Sequence, residues 1–292
     1  MRIVSLLPST TEIVFDLGLQ DQLQGVTIEC NWPQSAKSGR EIVVDTFTNP
    51  TMTPGEIDAI VRQRMAAALD LYNLDDEALA RCNPDLILSQ DLCRVCAVAS
   101  GDVDAAVARL NCDATVLQID PQNLHQVIES INTIAVAAGV ADRGIALTNS
   151  LHRRLQTVAT DVAGKIRPKV FVLEWIDPPF GAGHWVPDII TAAGGEPVLC
   201  RPGERSVQTT WDEIAAAAPD VVIVAPCGFG LDSASDQARL VSDLLPSSVA
   251  VWAIDADAVM VRPGPRLVDG VEAIAQMLHG KNVDSALLRK IV

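Results

Sequence analysis

Two stretches of the chain repeat one local pattern, and this repeat constrains the fold more than any other feature. Residues 80–90 and 216–226 each read as a helix end, a Pro-Asp turn and an unbroken apolar run. Such a run is typical of a parallel strand that is buried on both faces. The segments upstream also match, because residues 2–7 and 169–174 both form an apolar run before a Pro-containing loop. The repeat predicts an internal duplication with two similar α/β lobes.

A long segment with helical periodicity lies between the two repeats. Residues 142–165 contain no proline and place apolar side chains at helical intervals. Pro168 ends the segment, because proline lacks the backbone donor and biases its predecessor away from the helix. We therefore expect two Rossmann-like lobes joined by a single long α-helix, with a ligand cleft between the lobes. The predicted ranges are 1–141 for the N-terminal lobe, 142–167 for the bridging helix and 168–292 for the C-terminal lobe.

The N-terminal repeat is longer than the C-terminal one by about thirty residues, and the surplus falls in residues 45–75. Thr53 followed by Pro54 is a typical start of a helix, with a capping hydroxyl and proline in the first turn. The residues that follow continue with helical periodicity. We predict that this insertion is a helical arm or lid.

Charge and cysteine content bear on partners and compartment. Asp and Glu outnumber Lys and Arg by 37 to 22, a net charge of −15, which opposes binding to nucleic acid or anionic lipid. No apolar run approaches the roughly 20 residues of a membrane span. Seven cysteines suit reduced thiols better than a disulfide framework, and no export signal precedes the first strand. These features predict a cytoplasmic protein with a small-molecule ligand, and an ABC permease as partner only if the chain is exported. They leave the oligomeric state open.

The run that starts at residue 170 breaks abruptly into a Pro/Gly loop with Trp175, Phe180, His184 and Trp185, although only 4% of the chain is aromatic. Loops at strand ends are where α/β proteins bind ligands, and clustered rings suit a large flat molecule. The alternative is that the rings close a local core. His184 is also a candidate metal ligand. The remaining three histidines are expected at the surface: His125, His152 and His279.

A cysteine pair, Cys93 and Cys96, directly follows the buried run of residues 86–91. Two thiolates at this spacing can bind a soft metal such as zinc or form a redox disulfide, and His184 is the candidate third ligand. Glu29, Cys30 and Cys227 lie on other predicted strand-end loops and could complete such a site. The alternative is a pair of inert thiols in a reduced compartment.

Several motifs together resemble the cobalamin-binding subgroup of the periplasmic substrate-binding proteins. They are residues 2–12, Gly25 with Trp32-Pro33, residues 83–87, 177–183 and 194–195, and the segment 262–266. The resemblance implies two α/β lobes bridged by one long helix. It also implies that a ligand is lined by Pro8, Ser9, Glu29, Cys30, Trp32, Asp91, Leu92, Phe180, His184, Trp185, Phe229 and Arg262. For Arg262, an ion pair at a helix start is the alternative to an anchor for an anionic ligand group.

Motifs for catalysis give little support to an enzyme. The sequence has no Gly-x-Ser-x-Gly elbow, no phosphate-binding Gly-x-x-x-x-Gly-Lys and no His-x-x-x-His pair. The leading hypothesis is a cytoplasmic binding protein for a corrinoid, cobalamin-like, or for a similar large metal chelate. One alternative is a soft-metal or thiol-redox protein that uses Cys93 and Cys96. Another is the binding component of an ABC importer.

Overall fold

The structure, a computed structural model, describes residues 1–47, 52–67, 69–90, 100–110, 112–280 and 283–292, except for the side chains of residues 100–102. It divides into two compact units. The first unit comprises Met1–Asp120 with Glu129–Thr148, and the second comprises Pro121–Ile128 with Asn149–Val292. Each unit contains its own sheet flanked by helices, which confirms the predicted α/β class with two sheet-containing lobes.

A six-stranded sheet forms the centre of the first unit, in the order β4-β3-β2-β1-β5-β6. Only β4 is antiparallel to its neighbour. The strands are β1 Ile3–Ser5, β2 Leu23–Thr27, β3 Glu41–Thr46, β4 Tyr72–Leu74, β5 Leu86–Ser89 and β6 Thr115–Gln118. The helices are α1 Pro8–Asp16, α2 Pro54–Ala66, α3 Asp76–Cys82, α4 Ser100–Arg109, α5 Leu124–Ala137 and α6 Ala141–Val162, the last two running into the second unit.

The second unit has a sheet in the order β10-β8-β7-β11-β12-β13, and β9 also pairs with β7. Strands β7, β11 and β12 are parallel, whereas β8 and β13 run antiparallel to them. The strands are β7 Lys169–Ile176, β8 Pro179–Gly181, β9 Glu196–Pro197, β10 Val207–Gln208, β11 Val221–Val224, β12 Ala250–Ile254 and β13 Leu288–Lys290. The helices are α7 Val186–Ala192, α8 Trp211–Ala217, α9 Leu231–Ser242, α10 Ala256–Val259 and α11 Leu267–His279.

The two apolar runs that follow the Pro-Asp turns are central strands, as their composition requires. Each side chain of β5 is at least 98% buried, and β11 lies between β7 and β12 with Val222, Ile223 and Val224 fully buried. A strand with neighbours on both sides and helices on both faces has no exposed face, so unbroken hydrophobicity replaces the usual alternation. Because the central strands of each sheet are parallel, the loops that follow their carboxyl ends lie at one edge of that sheet.

Helix α6 is fixed within each unit by a different arginine. In the first unit, Arg143 donates hydrogen bonds to the carbonyl oxygens of Leu17 and Gly18, at 2.9 and 3.2 Å. In the second unit, Arg154 forms ion pairs with Asp269 and Glu272 of α11. The helix ends three residues before the predicted Lys165, because Gly164 adopts a left-handed conformation with φ +72°. The lobe boundaries at 141 and 168 and the cleft between the lobes stay predictions.

The insertion contains the expected helix and an additional strand. Thr53 caps α2 reciprocally with Glu56, since the Thr53 hydroxyl accepts from the Glu56 amide and the Glu56 carboxylate accepts from the Thr53 amide. Every residue of α2 is at least partly exposed. Strand β4, which the sequence analysis did not predict, pairs with β3 and attaches the end of the insertion to the sheet.

Candidate functional site

A buried polar cluster holds the strand-end loops of the first unit. The Thr11 hydroxyl donates to the Ser5 Oγ at 2.8 Å, and its own oxygen lies 3.1 Å from the Cys30 Sγ. Thr27 lies 3.3 Å from the same sulfur. The cluster therefore ties the ends of β1 and β2 to the first turn of α1. Hydrogen bonds inside a low-dielectric interior fix geometry strongly, because a broken one leaves a buried group unsatisfied.

The predicted ligand contacts of the first unit differ in exposure. Ser9 and Cys30 are buried, Pro8 and Glu29 are half-buried, and Trp32 is 48% exposed. Cys30 has an exposed fraction of 0%, so its thiol presents no surface to a ligand. The ligand contact of Cys30 stays a prediction, and the enclosure of its sulfur by the hydroxyls of Thr11 and Thr27 argues against it.

In the second unit, aromatic rings meet at the carboxyl edge of the sheet. Trp175 near the end of β7 contacts Phe229 in the loop after β11, with ring centroids 6.1 Å apart and planes inclined by 48°. Phe180 of β8 is paired with Trp175 across the β7–β8 ladder. All three side chains are half-buried. Rings that are packed on one side and open on the other can take a flat ligand against the open side.

Trp185, in contrast, is an interior residue. Only 6% of its surface is exposed, and its indole Nε1–H donates to the Met260 carbonyl oxygen at 2.8 Å. These contacts favour the local-core alternative for this ring, whereas its place among the ligand contacts stays a prediction. A buried indole with its donor satisfied anchors the start of α7 against the segment after α10.

The backbone around His184 is held from both sides. Its amide donates to the Glu204 carbonyl oxygen at 2.6 Å, its carbonyl oxygen accepts from Gly203, and φ is +52°. Gly183 packs against the same segment: a Cβ there would lie 2.5 Å from the Arg205 carbonyl carbon. Only a glycine allows this approach, so the residue before His184 fixes where the imidazole lies.

The His184 imidazole itself is half-buried. Its Nδ1 is buried and has no hydrogen-bond partner among the described residues. Burial lowers the pKa of His184 below its ordinary value, and the nearby positive charge of Arg205 lowers that pKa further. The ring is therefore neutral at pH 7 and keeps one nitrogen lone pair, the form that binds a metal.

A carboxylate and a hydroxyl link the neighbouring loops. The Ser206 hydroxyl donates to a Glu174 carboxylate oxygen at 2.7 Å, and the Cys227 amide donates to the Glu174 carbonyl oxygen at 3.3 Å. The Cys227 side chain is exposed. Glu174 thus connects the loop after β11 to the segment beside His184. Neither Glu174 nor Ser206 was predicted as a site residue.

Arg262 forms the ion pair that the sequence analysis weighed as the alternative to a ligand contact. Its guanidinium lies 2.8 Å from Asp257, and only 10% and 18% of the two side chains are exposed. Burial raises the pKa of Asp257 although the Arg262 charge lowers it. The ion pair favours the alternative weighed in the sequence analysis, and the role of Arg262 as a ligand anchor stays a prediction.

The remaining predicted residues of the soft-metal site lie outside the described residues. These are Cys93 and Cys96, with Asp91 and Leu92 just before them. The five cysteines among the described residues form no disulfide with one another. Burial raises the pKa of Cys200 to about 11, so that this thiol is protonated at neutral pH and is a poor metal ligand.

The missed residues had weak signals in the sequence. Trp175 belongs to the ring cluster of the sequence analysis. Its contact with Phe229, however, joins two segments that are far apart in the chain. Asp257 precedes Arg262 by five positions, which is compatible with pairing but not diagnostic. Ser206 lies in a loop without a recognisable motif, and only the folded sheet brings it to Glu174.

A comparison with known protein families shows to which family the chain belongs. Residues 3–249 match the family described as periplasmic binding protein. The chain belongs to this family. The resemblance noted in the sequence is thereby confirmed, and the chain is a substrate-binding protein.

Individual relatives of this periplasmic binding protein are distant but cover nearly the whole chain. An uncharacterised ABC transporter substrate-binding lipoprotein of Bacillus subtilis is 24% identical over 95% of this chain and 80% of its own. The vitamin B12-binding protein of Vibrio cholerae is 22% identical over 95% and 88%. Among solved structures, a periplasmic heme binding protein from Pseudomonas aeruginosa has a TM-score of 0.73, with 19% identity over 99% and 97% of the two chains. At this level of identity the structural match supports the fold.

The prediction of a cytoplasmic location was wrong. The family consists of periplasmic binding proteins, and the Bacillus subtilis relative is a lipoprotein. The prediction relied on the cysteine count and on the start of the chain, and neither determines the compartment. Thiols such as Cys30 and Cys82 are protected by burial, which does not require a reducing environment. Within the described residues, no helix combines the length and the apolar character needed to cross a membrane.

Proposed function

We propose that this periplasmic binding protein binds a large metal chelate of the corrinoid or haem type and delivers it to an ABC importer. The observation that carries the proposal is the His184 imidazole, which is half-buried in a fixed loop of the second unit and has a buried Nδ1 with no hydrogen-bond partner among the described residues. The names of its relatives agree in kind, since they include a vitamin B12-binding protein and a heme binding protein.

In this proposal the rings and the imidazole have separate tasks. Trp175, Phe180 and Phe229 take the flat face of the chelate, where dispersion and apolar burial supply most of the affinity. The His184 Nε2 binds the metal at an open axial position or contacts the edge of the macrocycle. In the first unit, Pro8, Ser9, Glu29 and Trp32 stay predicted ligand contacts.

Direct titration tests the proposal. The protein, purified without a metal-binding tag, is titrated with haemin, cobinamide and cyanocobalamin, and the absorption spectrum is followed. We expect saturation at one equivalent with at least one chelate, and a change in the spectrum of the bound metal when His184 is replaced by Ala. His279→Gln is the matched control, because it removes another histidine of the same unit.

Two outcomes would contradict the proposal. One is the absence of binding to all three chelates by a folded protein. The other is binding with the same affinity and spectrum after replacement of both Trp175 and His184. The importer role is tested separately, by measuring chelate uptake in cells that lack this protein and in cells that are complemented with it.

A further inference from the structure

We propose that His125 and His152 form a surface site for a borderline divalent metal ion such as Zn²⁺. His125 lies in the first turn of α5 and His152 in the middle of α6. Neither residue belongs to the aromatic edge of the second sheet. The proposal is therefore independent of the chelate proposal.

The two imidazoles are arranged as a pair. Their ring centroids are 6.4 Å apart with planes inclined by 22°, and their ligand nitrogens lie within 4.8 Å of each other. Both histidines lie in the second unit, in Pro121–Ile128 and Asn149–Val292. Two rings brought together from separate helices make a donor pair that the chain order alone does not indicate.

The nitrogens of the two imidazoles need only a small movement to bind one ion. Two zinc–nitrogen bonds of about 2.0–2.1 Å at a tetrahedral angle place the nitrogens about 3.4 Å apart. The observed separation, within 4.8 Å, requires a closure of about 1.5 Å or less. Rotation of an exposed side chain such as His125 provides this. Imidazole ligands favour Zn²⁺, Ni²⁺ or Cu²⁺ over Mg²⁺ and Ca²⁺, and water completes the coordination.

The experiment uses the full chain without a histidine tag and with Cys93→Ser and Cys96→Ser, which removes the other candidate metal site. Zn²⁺ binding is measured by calorimetry. We expect one ion per chain and at least tenfold weaker binding after His125→Ala with His152→Ala. His279→Gln keeps the histidine pair and should bind Zn²⁺ as the parent chain does.

Thermal unfolding with and without Zn²⁺ verifies that each variant is folded. Zn²⁺ should raise the unfolding temperature of the parent chain and of His279→Gln, but not that of the double histidine variant. The proposal is overturned if the parent chain binds no Zn²⁺, or if the folded double histidine variant binds it as tightly as the parent.

Discussion

The indole of Trp185 donates a hydrogen bond to the Met260 carbonyl oxygen at 2.8 Å, which ties the start of α7 to the segment after α10. This contact lies directly beside His184, whose imidazole we propose as a ligand donor. In the proposed function, the neighbouring rings of this loop have opposite tasks: Trp185 maintains the fold, and His184 contacts the ligand. The predictions below separate these tasks.

Replacing Trp185 should lower stability and leave chelate affinity nearly unchanged. Trp185→Ala removes a buried ring and should cost about 3–5 kcal/mol of the free energy of unfolding. Trp185→Phe keeps most of the volume and loses the hydrogen bond; it leaves the Met260 carbonyl oxygen without that donor and should cost about 1–3 kcal/mol. Urea unfolding measures both. A large loss of chelate affinity in folded Trp185→Phe would return this ring to the ligand site.

Replacing both Trp175 and Phe229 by Ala should have the reverse effect. Chelate binding should weaken by about 1–3 kcal/mol, or about 5- to 150-fold, because the rings supply contact area to the ligand. Stability should fall by less than in Trp185→Ala, since both rings are only half-buried. Phe47→Ala, which removes an exposed ring from the first unit, is the control. Equal affinity in the double variant and in the control would contradict the prediction.

The stability of the protein should depend on pH through His184. Because the pKa of His184 is lowered in the folded state, the unfolded chain binds a proton first as the pH falls. This contribution to stability is fully present above the ordinary histidine pKa of 6.5 and is lost as the pH falls through 6.5 toward the lowered folded value. Urea unfolding of wild type and His184→Gln between pH 5 and pH 8 measures it. If the variant keeps the full pH dependence of the wild type, His184 is not its source.

Gly183→Ala should destabilise the second unit. A Cβ at this position would lie 2.5 Å from backbone atoms of Arg205 and Ser206, so the two segments must separate. Gly230→Ala is a matched control, because its Cβ would come no nearer than 3.9 Å to the Asp255 carboxylate. We expect a lower unfolding temperature and weaker chelate binding for Gly183→Ala than for the control. Equal unfolding temperatures would show that the two segments separate without a loss of stability.

The double substitution Cys93→Ser and Cys96→Ser distinguishes the chelate hypothesis from the thiol hypothesis. If rings and imidazole dominate recognition, chelate affinity should stay within about tenfold, or 1.4 kcal/mol. Hydroxyls cannot replace thiolates toward a soft metal, so a thiol-dependent function would be abolished. Absorption titration and metal analysis of the folded variant provide the two measurements. Complete loss of chelate binding would transfer the site to the cysteine pair.

The sequence by itself determined the class of the fold and several of its elements. The Pro-Asp turns and the unbroken apolar runs after them identified β5 and β11 as buried parallel strands. A strand that is apolar on both faces has no polar face to turn toward solvent. Thr53 followed by Pro54 identified the start of α2, since a capping hydroxyl and a first-turn proline are adjacent in the chain. Local chemistry and periodicity were sufficient for these features.

The candidate site depended on tertiary structure. The adjacent residues His184 and Trp185 both carry a heteroaromatic ring, and only the packing of the segment around Met260 buries one of them. Arg262 could equally have bound a ligand until the fold placed Asp257 beside it in the interior. The pairing of Trp175 with Phe229, like that of His125 with His152, joins distant segments of the chain. Burial and long-range contacts are properties of the folded chain, so the local sequence determines which side chains are available and the packing determines which of them face a ligand.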